Sequence, residues 1–179
     1  MARALIIVDF QNDFTPGGAL AVRDGDAIAP RIDALARSGD CDLVVATRDW
    51  HPPDHGSFAA QGGPWPPHCV QGTPGAELHP ALDRQLVDVV VDKGQDPGTE
   101  GYSGFEATGL AELLRDRGVD DVTVVGLATD YCVKNTALDA LRQGFRVTVD
   151  AGAARPVEVE HGDGERALEA VRAAGGAIG

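Results

Sequence analysis

The stretch VTVVGLATDYCVKNTALDALRQGFRVTVD, residues 122–150, decides the fold. Its first part, VTVVGL (122–127), and its last part, FRVTVD (145–150), are rich in apolar and β-branched residues. Short runs of this kind are typical of strands buried in a parallel sheet. Between them, CVKNTALDALRQG (132–144) carries apolar residues at helical spacing and ends on a glycine, which predicts a helix. The stretch therefore predicts a strand–helix–strand unit.

The same alternation extends outward over the rest of the chain. Further strands are predicted at 4–9, 42–47 and 86–93, and further helices at 25–39, 109–118 and about 164–174. Strands that alternate with helices form a mostly parallel sheet with helices on both faces. The 179 residues are long enough to bury one sizeable core. We therefore expect an α/β fold in a single domain, residues 1–179.

Composition excludes several classes of partner. The chain has 15 Lys and Arg against 28 Asp and Glu, a formal net charge of −13. Binding to nucleic acid or to an anionic membrane surface needs clustered positive charge, so neither is expected. No apolar run approaches the roughly 20 residues of a membrane span. The three cysteines lack the spacing of a disulfide framework, which favours a reducing, cytoplasmic location.

Four polar residues fall at the carboxyl ends of predicted strands, where ligands bind in such folds. Asp9 ends the first strand, Asp49 lies just past the second, Lys93 ends the third, and Cys132 follows the fourth. Because parallel strands end at one edge of the sheet, we expect these side chains to converge.

Cys132 is a candidate nucleophile. If its helix starts near Asp130, the thiol lies in the first turn, where free N–H groups and the helix dipole lower a thiol pKa. A small buried apolar residue is the alternative interpretation of a cysteine at this place. Asp9 could take the thiol proton and Lys93 could stabilise the charge, although a buried Asp–Lys pair can also be purely structural.

The irregular segment 48–80 holds four of the five histidines. Asp49 and His51 are two residues apart, on the same side of an extended backbone, and His68 could return from the far arm of the loop. An aspartate with two histidines suits a divalent ion such as zinc, iron or manganese. Histidines exposed on the surface remain the alternative.

Aromatic side chains are few in this chain but gather in the same irregular regions. Phe14 follows the first strand, Trp65 lies in the histidine-rich loop, and Tyr102 lies in the second irregular segment, 94–109. Such side chains can cover the core, or they can form the walls of a site for a flat aromatic substrate.

Together these residues resemble the isochorismatase-like cysteine hydrolases, and most closely the nicotinamidase/pyrazinamidase branch. Six stretches match in order between about residue 5 and residue 150: IIVDFQNDFTPGGALAV, VVATRDWHPPDHGSF, WPPHCVQGTPGAELHP, DVVVDKG, YSGFEATGL and VVGLATDYCVKNTALDA. Each stretch alone is modest evidence, whereas all six in register are specific.

The resemblance implies hydrolysis of nicotinamide to nicotinate and ammonia, with pyrazinamide as a second substrate. It implies Cys132 as nucleophile, Asp9 as general base and Lys93 as the cation that holds both in their charged forms. One divalent metal ion, zinc foremost and otherwise iron or manganese, would be bound by Asp49, His51 and His68. For His55 the resemblance is divided, because some members use a histidine here as a further ligand and others leave the place to water.

The resemblance also bears on the walls of the site and on its oxyanion hole. It implies that Phe14 and Trp65 flank the ring, while Tyr102 is the further aromatic candidate. The backbone N–H groups of Ala128 and Cys132 would hold the oxyanion, and a non-proline cis peptide would join Leu127 to Ala128.

Two other functions stay open at this point. An N-carbamoyl or ureidoacrylate amidohydrolase would keep the same triad without this metal set. A non-haem metal enzyme would use the Asp/His/His set without the thiol. The sequence does not set the oligomeric state.

Overall fold

In a computed structural model, which describes residues 1–179, six parallel strands form one sheet in the order β3-β2-β1-β4-β5-β6. The strands are β1 Ala2–Val8, β2 Leu43–Asp49, β3 Val89–Lys93, β4 Val119–Leu127, β5 Arg146–Arg155 and β6 Ala177–Ile178. The four α-helices are α1 Ala29–Arg37, α2 Leu110–Asp116, α3 Lys134–Arg142 and α4 Asp163–Ala173.

The central strand β1 shows why its sequence is apolar throughout. Alternate side chains of β1, such as Ile6, pack with residues of α2, α3 and α4 in one core. The intervening side chains, such as Ile7, pack with residues of α1 and the long loops in a second core. Both are fully buried, as expected for a strand that is covered on both faces. The predicted α/β fold with helices on both faces is confirmed.

Several predicted boundaries were wrong. Strand β4 begins at Val119 rather than at 122, because the acidic pair that follows Val119 hides the start of the apolar run. Strand β5 continues to Arg155, past a register shift in its pairing with β4. Strand β3 starts at Val89, after a 3-10 turn that Asp83 caps. Strand β6 was missed, since two residues carry no periodic pattern.

The helix predicted over 132–144 begins later. A π-helical turn, Thr129–Val133, precedes α3 and contains Cys132. The N–H of Val133 donates to the carbonyl of Ala128, five residues back, at 3.1 Å. Single π turns occur frequently at functional sites. The expected cis peptide between Leu127 and Ala128 is present.

The strand order reverses between β1 and β4, which are neighbours in the sheet. At such a point the chain segments that follow the two strands leave toward opposite faces of the sheet, and a crevice opens beyond the strand ends. The four strands whose ends carry the candidate residues, β3, β2, β1 and β4, are adjacent. None of the helices combines the length and apolar character that crossing a bilayer would require.

Candidate active site

Lys93 is the centre of a buried polar cluster at the carboxyl edge of the sheet. Its Nζ lies 2.8 Å from Oδ2 of Asp9. It donates hydrogen bonds to Oδ1 of Asp49 and the carbonyl of Gly101, and it lies 3.5 Å from Sγ of Cys132, which accepts a third. The structure therefore brings together all four residues that the sequence placed at strand ends.

Asp9 is held in a conformation that directs its carboxylate into this cluster. It follows β1 with a φ of +48°, in the left-handed region that costs most residues strain. Its N–H donates to the carbonyl of Thr47 at 3.1 Å, and its Oδ1 accepts the hydroxyl of Thr47 at 2.8 Å. One oxygen of Asp9, Oδ2, is left facing Lys93.

Burial and the neighbouring charges together set the pKa values of the cluster. For Asp9, burial prevails. It raises the pKa of Asp9 to about 6, against the opposing charge of Lys93. For Lys93, burial alone would lower the pKa, but the charges of Asp49 and Asp9 raise it well above its usual range. The ammonium therefore stays charged beside a carboxylate poised to exchange a proton near neutral pH.

The expected low pKa of Cys132 was wrong. Burial raises the pKa of this thiol well above its usual range, Lys93 opposes the shift, and Asp9 and Asp49 add to it. The helix dipole argument failed because it left out the burial of the thiol and the two carboxylates near it. The resting thiol is therefore protonated and needs a base to become a nucleophile.

Asp49, His51 and His68 form a second group that shares Asp49 with the first. Each offers one ligand atom, and these atoms lie within 4.8 Å of one another. Nε2 of His51 is 3.2 Å from Oδ2 of Asp49, and Nε2 of His68 is 3.9 Å from the same oxygen. All three side chains are buried.

The hydrogen bonds behind this group orient both imidazoles toward the shared space. Nδ1–H of His51 donates to the carbonyl of Gly94, and Nδ1–H of His68 donates to the carbonyl of Pro66, both at 2.8 Å. With the proton on Nδ1, the lone pair of each Nε2 faces Asp49. Metal-binding histidines are oriented in this way by carbonyl groups, so the donor set fits a divalent metal ion.

His55 is near this group but is arranged differently. Its ring stacks on His51 with 3.9 Å between centroids. The N–H of Ser57 donates to Nδ1 of His55 at 3.2 Å, which places the proton of the neutral ring on Nε2. That Nε2 is buried and has no hydrogen-bond partner. His55 therefore does not present a lone pair to the group in the way that His51 and His68 do.

A cavity opens onto both groups. It is mostly apolar and holds about 380 Å³ including its mouth. The predicted wall residues Phe14, Trp65 and Tyr102 all line it, together with Ala128 and Cys132. Both Asp49 and His68 also reach it, so a molecule in the cavity would contact the thiol and the candidate metal ligands at once.

Tyr131 was missed by the sequence interpretation, as were three apolar wall residues, Leu20, Val22 and Val157. Tyr131 packs edge-on against Trp65 at 5.1 Å and lies 5.6 Å from the ring of Tyr102. The Trp65 Nε1–H donates to the hydroxyl of Tyr102 at 3.0 Å. Tyr131 could have been expected near the cavity because it directly precedes Cys132, the candidate nucleophile. Val157 lies 25 residues after Cys132, and no sequence pattern indicated that it would reach the cavity.

The backbone N–H of Ala128 is also available as a hydrogen-bond donor. The N–H of Ala128 makes no hydrogen bond within the chain, although Ala128 is largely buried and lines the cavity. Buried backbone donors are almost always paired. An unpaired one that borders a cavity beside Cys132 is available to a bound oxyanion.

Known proteins resemble this chain over most of its length. Residues 3–178 match the family model of the isochorismatase domain. The nicotinamidase/pyrazinamidase of Mycobacterium tuberculosis is 54% identical over 83% of this chain and 84% of its own. The pyrazinamidase of Pyrococcus horikoshii, crystallised in complex with zinc, superposes with a TM-score of 0.91 and 48% identity, covering 100% of this chain and 99% of its own. An L. infantum structure in complex with nicotinate has a TM-score of 0.94 and 39% identity, covering 99% of this chain and 91% of that one.

Proposed function

The chain belongs to the isochorismatase family, and we propose on that premise that it hydrolyses nicotinamide to nicotinate and ammonia, in the salvage of NAD. One observation carries the assignment of its active site. A single ammonium, that of Lys93, contacts both the candidate base Asp9 and the thiol of Cys132. Cys132 in turn lines a cavity that two of the candidate metal ligands, Asp49 and His68, also border.

The protonation states of Asp9, Lys93 and Cys132 support nucleophilic attack by the cysteine with Asp9 as the base. The thiol is protonated at rest because burial raises its pKa, and Asp9, with a pKa of about 6, is largely ionised at neutral pH. Asp9 takes the thiol proton while sulfur attacks the carboxamide carbon. Lys93 lowers the energy of the anion on either partner by remaining charged between them.

The oxyanion that forms accepts hydrogen bonds from the N–H groups of Ala128 and Cys132. The carbon–nitrogen bond then breaks, Asp9 returns the proton to the departing ammonia, and a nicotinoyl thioester remains on Cys132. Asp9 next takes a proton from the attacking water. The carbon–sulfur bond breaks, and Asp9 gives that proton to sulfur, so that the thiol is restored. Nicotinic acid leaves and loses its remaining proton to solvent as nicotinate.

We assign Asp49, His51 and His68 as the ligands of a divalent ion and leave His55 outside the set. Zinc is the first candidate, because two imidazoles and a carboxylate suit it and because a relative was crystallised with zinc. When bound, the ion supplies a Lewis acid for the pyridine nitrogen and so orients the ring. Pyrazinamide keeps both that nitrogen and the carboxamide, so it should be a second substrate.

The substrate is sandwiched, in this proposal, between Phe14 and Trp65, with Tyr102 fixing the indole of Trp65 through its hydrogen bond. The three cysteines are all unpaired, which supports a cytoplasmic location. The net charge of −13 supports action without nucleic acid or a membrane surface. We also treat residues 1–179 as one domain.

The test is ammonia release from nicotinamide by the wild type and by Cys132→Ala, each with and without a chelator. Release by the wild type with metal present, and none by Cys132→Ala, is the expected result. No release by the metal-loaded wild type would refute the function. Activity that survives chelation, with metal loss confirmed, would refute the role of the ion. Activity of Cys132→Ala would favour the non-haem alternative, in which the buried triad has no part.

A further inference from the structure

The two oxygens of the Asp9 carboxylate are not equivalent. Oδ1 accepts the hydroxyl proton of Thr47 at 2.8 Å. Oδ2 is fully buried and accepts no hydrogen bond, although it lies 2.8 Å from Nζ of Lys93. A buried carboxylate oxygen without a donor is rare, so this difference needs a physical explanation.

The hydrogen bonds of Lys93 explain why Oδ2 of Asp9 accepts none. An ammonium has three protons, and those of Lys93 are directed to Asp49, to the carbonyl of Gly101 and to Sγ of Cys132. The approach of Nζ to Oδ2 of Asp9 does not have hydrogen-bond geometry, so Oδ2 feels the positive charge at 2.8 Å without an aligned donor. Its lone pairs stay open in a cluster where a carboxylate oxygen of Asp9 and Sγ of Cys132 lie within 4.8 Å of each other.

Thr47 explains why Oδ1 of Asp9 is occupied. It lies on β2 opposite the end of β1, and it holds Asp9 at two points, because its carbonyl accepts the N–H of Asp9 and its hydroxyl donates to Oδ1. The side chain of Thr47 is fully buried, so no water competes for this hydrogen bond. The contact fixes the rotation of the carboxylate and occupies one of its two oxygens.

We propose that Thr47 is a positioning residue that makes Oδ2 of Asp9 the atom that takes and returns the proton of Cys132. The inference rests on the proposed function, because it assigns an atom to the proton transfer of that reaction. In the first transfer the S–H bond of Cys132 breaks and an O–H bond forms at Oδ2, with the electron pair of the S–H bond left on sulfur. In the last transfer the O–H bond at Oδ2 breaks and the S–H bond forms again. Thr47 itself exchanges no proton and touches no substrate.

The chemical test is the rate at which iodoacetamide alkylates Cys132 in the metal-loaded protein, followed by mass spectrometry of the peptide that contains it. This rate reports deprotonation of the thiol without any need for turnover of nicotinamide. Thr47→Val keeps the shape and removes the hydroxyl, and we expect alkylation to slow roughly ten- to hundred-fold, as for the loss of a hydrogen bond to a charged group. Thr47→Ser keeps the hydroxyl and should stay within about threefold of the wild type, a small change beside the loss of such a bond.

Turnover supplies a second readout. For Thr47→Val we expect kcat for nicotinamide to fall by a similar factor while KM changes less than about twofold, because substrate contacts are untouched. Thr136→Val is the matched control, since Thr136 is also fully buried and its hydroxyl accepts the N–H of Gly104. This control should lose stability but keep the alkylation rate of Cys132.

The proposal is overturned if Thr47→Val alkylates at the wild-type rate, or if Thr47→Ser is as slow as Thr47→Val. If Thr47→Val does not fold, Thr47→Ala and Thr47→Ser decide the question, because both lose the methyl group and only one loses the hydroxyl. A wild type that fails to hydrolyse nicotinamide would refute the proposed function, and the alkylation series would still test the link between Thr47 and Asp9.

Discussion

The ammonium of Lys93 lies 2.8 Å from Oδ2 of Asp9, and neither side chain has any exposure to solvent. The same ammonium also pairs with Asp49, so one positive charge serves two buried carboxylates. Removing one partner of a buried ion pair leaves an uncompensated charge in a medium that solvates it poorly. Lys93 therefore stabilises the fold around the site, in addition to its proposed role in the chemistry.

We predict that Lys93→Met lowers the free energy of unfolding by about 3–5 kcal/mol, since two buried carboxylates lose their cation. The measurement is urea unfolding followed by circular dichroism. Lys134→Met is the matched control, because Lys134 is the other lysine of the chain, is partly exposed and forms no salt bridge. The control should shift the free energy by less than about 0.5 kcal/mol. Equal effects for the two variants would contradict this role of Lys93.

The second prediction concerns covalent catalysis. Cys132→Ser should retain the fold, but kcat should drop by at least about a thousandfold, because a serine hydroxyl is a far weaker nucleophile without a base tuned to it. Wild-type protein quenched in acid during turnover should show an adduct with the mass of a nicotinoyl group on Cys132. Cys41→Ser is the control, since Cys41 is partly exposed and precedes the amino end of β2, opposite the carboxyl edge that carries the cluster. Turnover by Cys132→Ser at the wild-type rate would remove the thioester from the mechanism.

The third prediction concerns pH. Burial raises the pKa of Asp9 to about 6, and only its ionised form can take the thiol proton. The value of kcat/KM should therefore be constant above about pH 7 and fall close to tenfold per unit below about pH 5. Steady-state ammonia release in a constant-ionic-strength buffer series measures this profile. A profile that is flat between pH 4.5 and 8 would show that Asp9 is not the base.

The sequence predicted which residues come together at the carboxyl edge of the sheet better than it predicted the environment around them. Asp9, Lys93 and Cys132 were recognisable because each follows or ends an apolar run, and parallel strands end at one edge of the sheet. The raised pKa of Cys132 could not be predicted, because it depends on burial and on two carboxylates brought close by separate strands.

Long-range hydrogen bonds explain why the sequence did not indicate a role for Gln11. Gln11 is fully buried, and its amide group accepts the N–H of Asp49 and donates to the carbonyls of Asp49 and Ala76, all at 2.8 Å. These contacts fix the backbone of Asp49, a candidate metal ligand. Nothing in the periodicity around Gln11 indicates partners 38 and 65 positions away, whereas β1 and the helices could be predicted from local patterns alone.

The fourth prediction distinguishes His51, a proposed metal ligand, from His55, which is left outside the ligand set. His51→Ala should lose the bound metal ion, whereas His55→Asn should retain it, because His55 presents Nδ1 to Ser57 and its Nε2 carries the proton. Metal content after dialysis, and the rise in Tm on adding zinc, measure binding without any turnover. The rise should be near zero for His51→Ala and close to that of the wild type for His55→Asn. Loss of metal from His55→Asn would make His55 a ligand.

The fifth prediction concerns the apolar wall of the cavity at Val157. Both oxygens of the Asp130 carboxylate accept backbone N–H groups of the segment that carries this wall, from Val157 at 2.8 Å and from Glu158 at 2.9 Å. Asp130 is itself buried in the π turn, two residues before Cys132. The backbone of the wall is thus held by hydrogen bonds to the π turn that contains Cys132, and shortening the Val157 side chain should enlarge the cavity without moving the wall.

Val157→Ala should therefore accept nicotinamides that carry a methyl group on the ring. Among the ring-methylated isomers, at least one should gain about fivefold or more in kcat/KM relative to nicotinamide, since one methyl group in an apolar pocket is worth roughly ten-fold or more in specificity. Val159→Ala is the control, because Val159 is two residues away and 65% exposed. If no isomer gains with Val157→Ala, or if Val159→Ala gains equally, Val157 does not limit the size of the substrate. A gain confined to one isomer would identify the edge of the ring that faces this wall, and with it the orientation of the carboxamide toward Cys132.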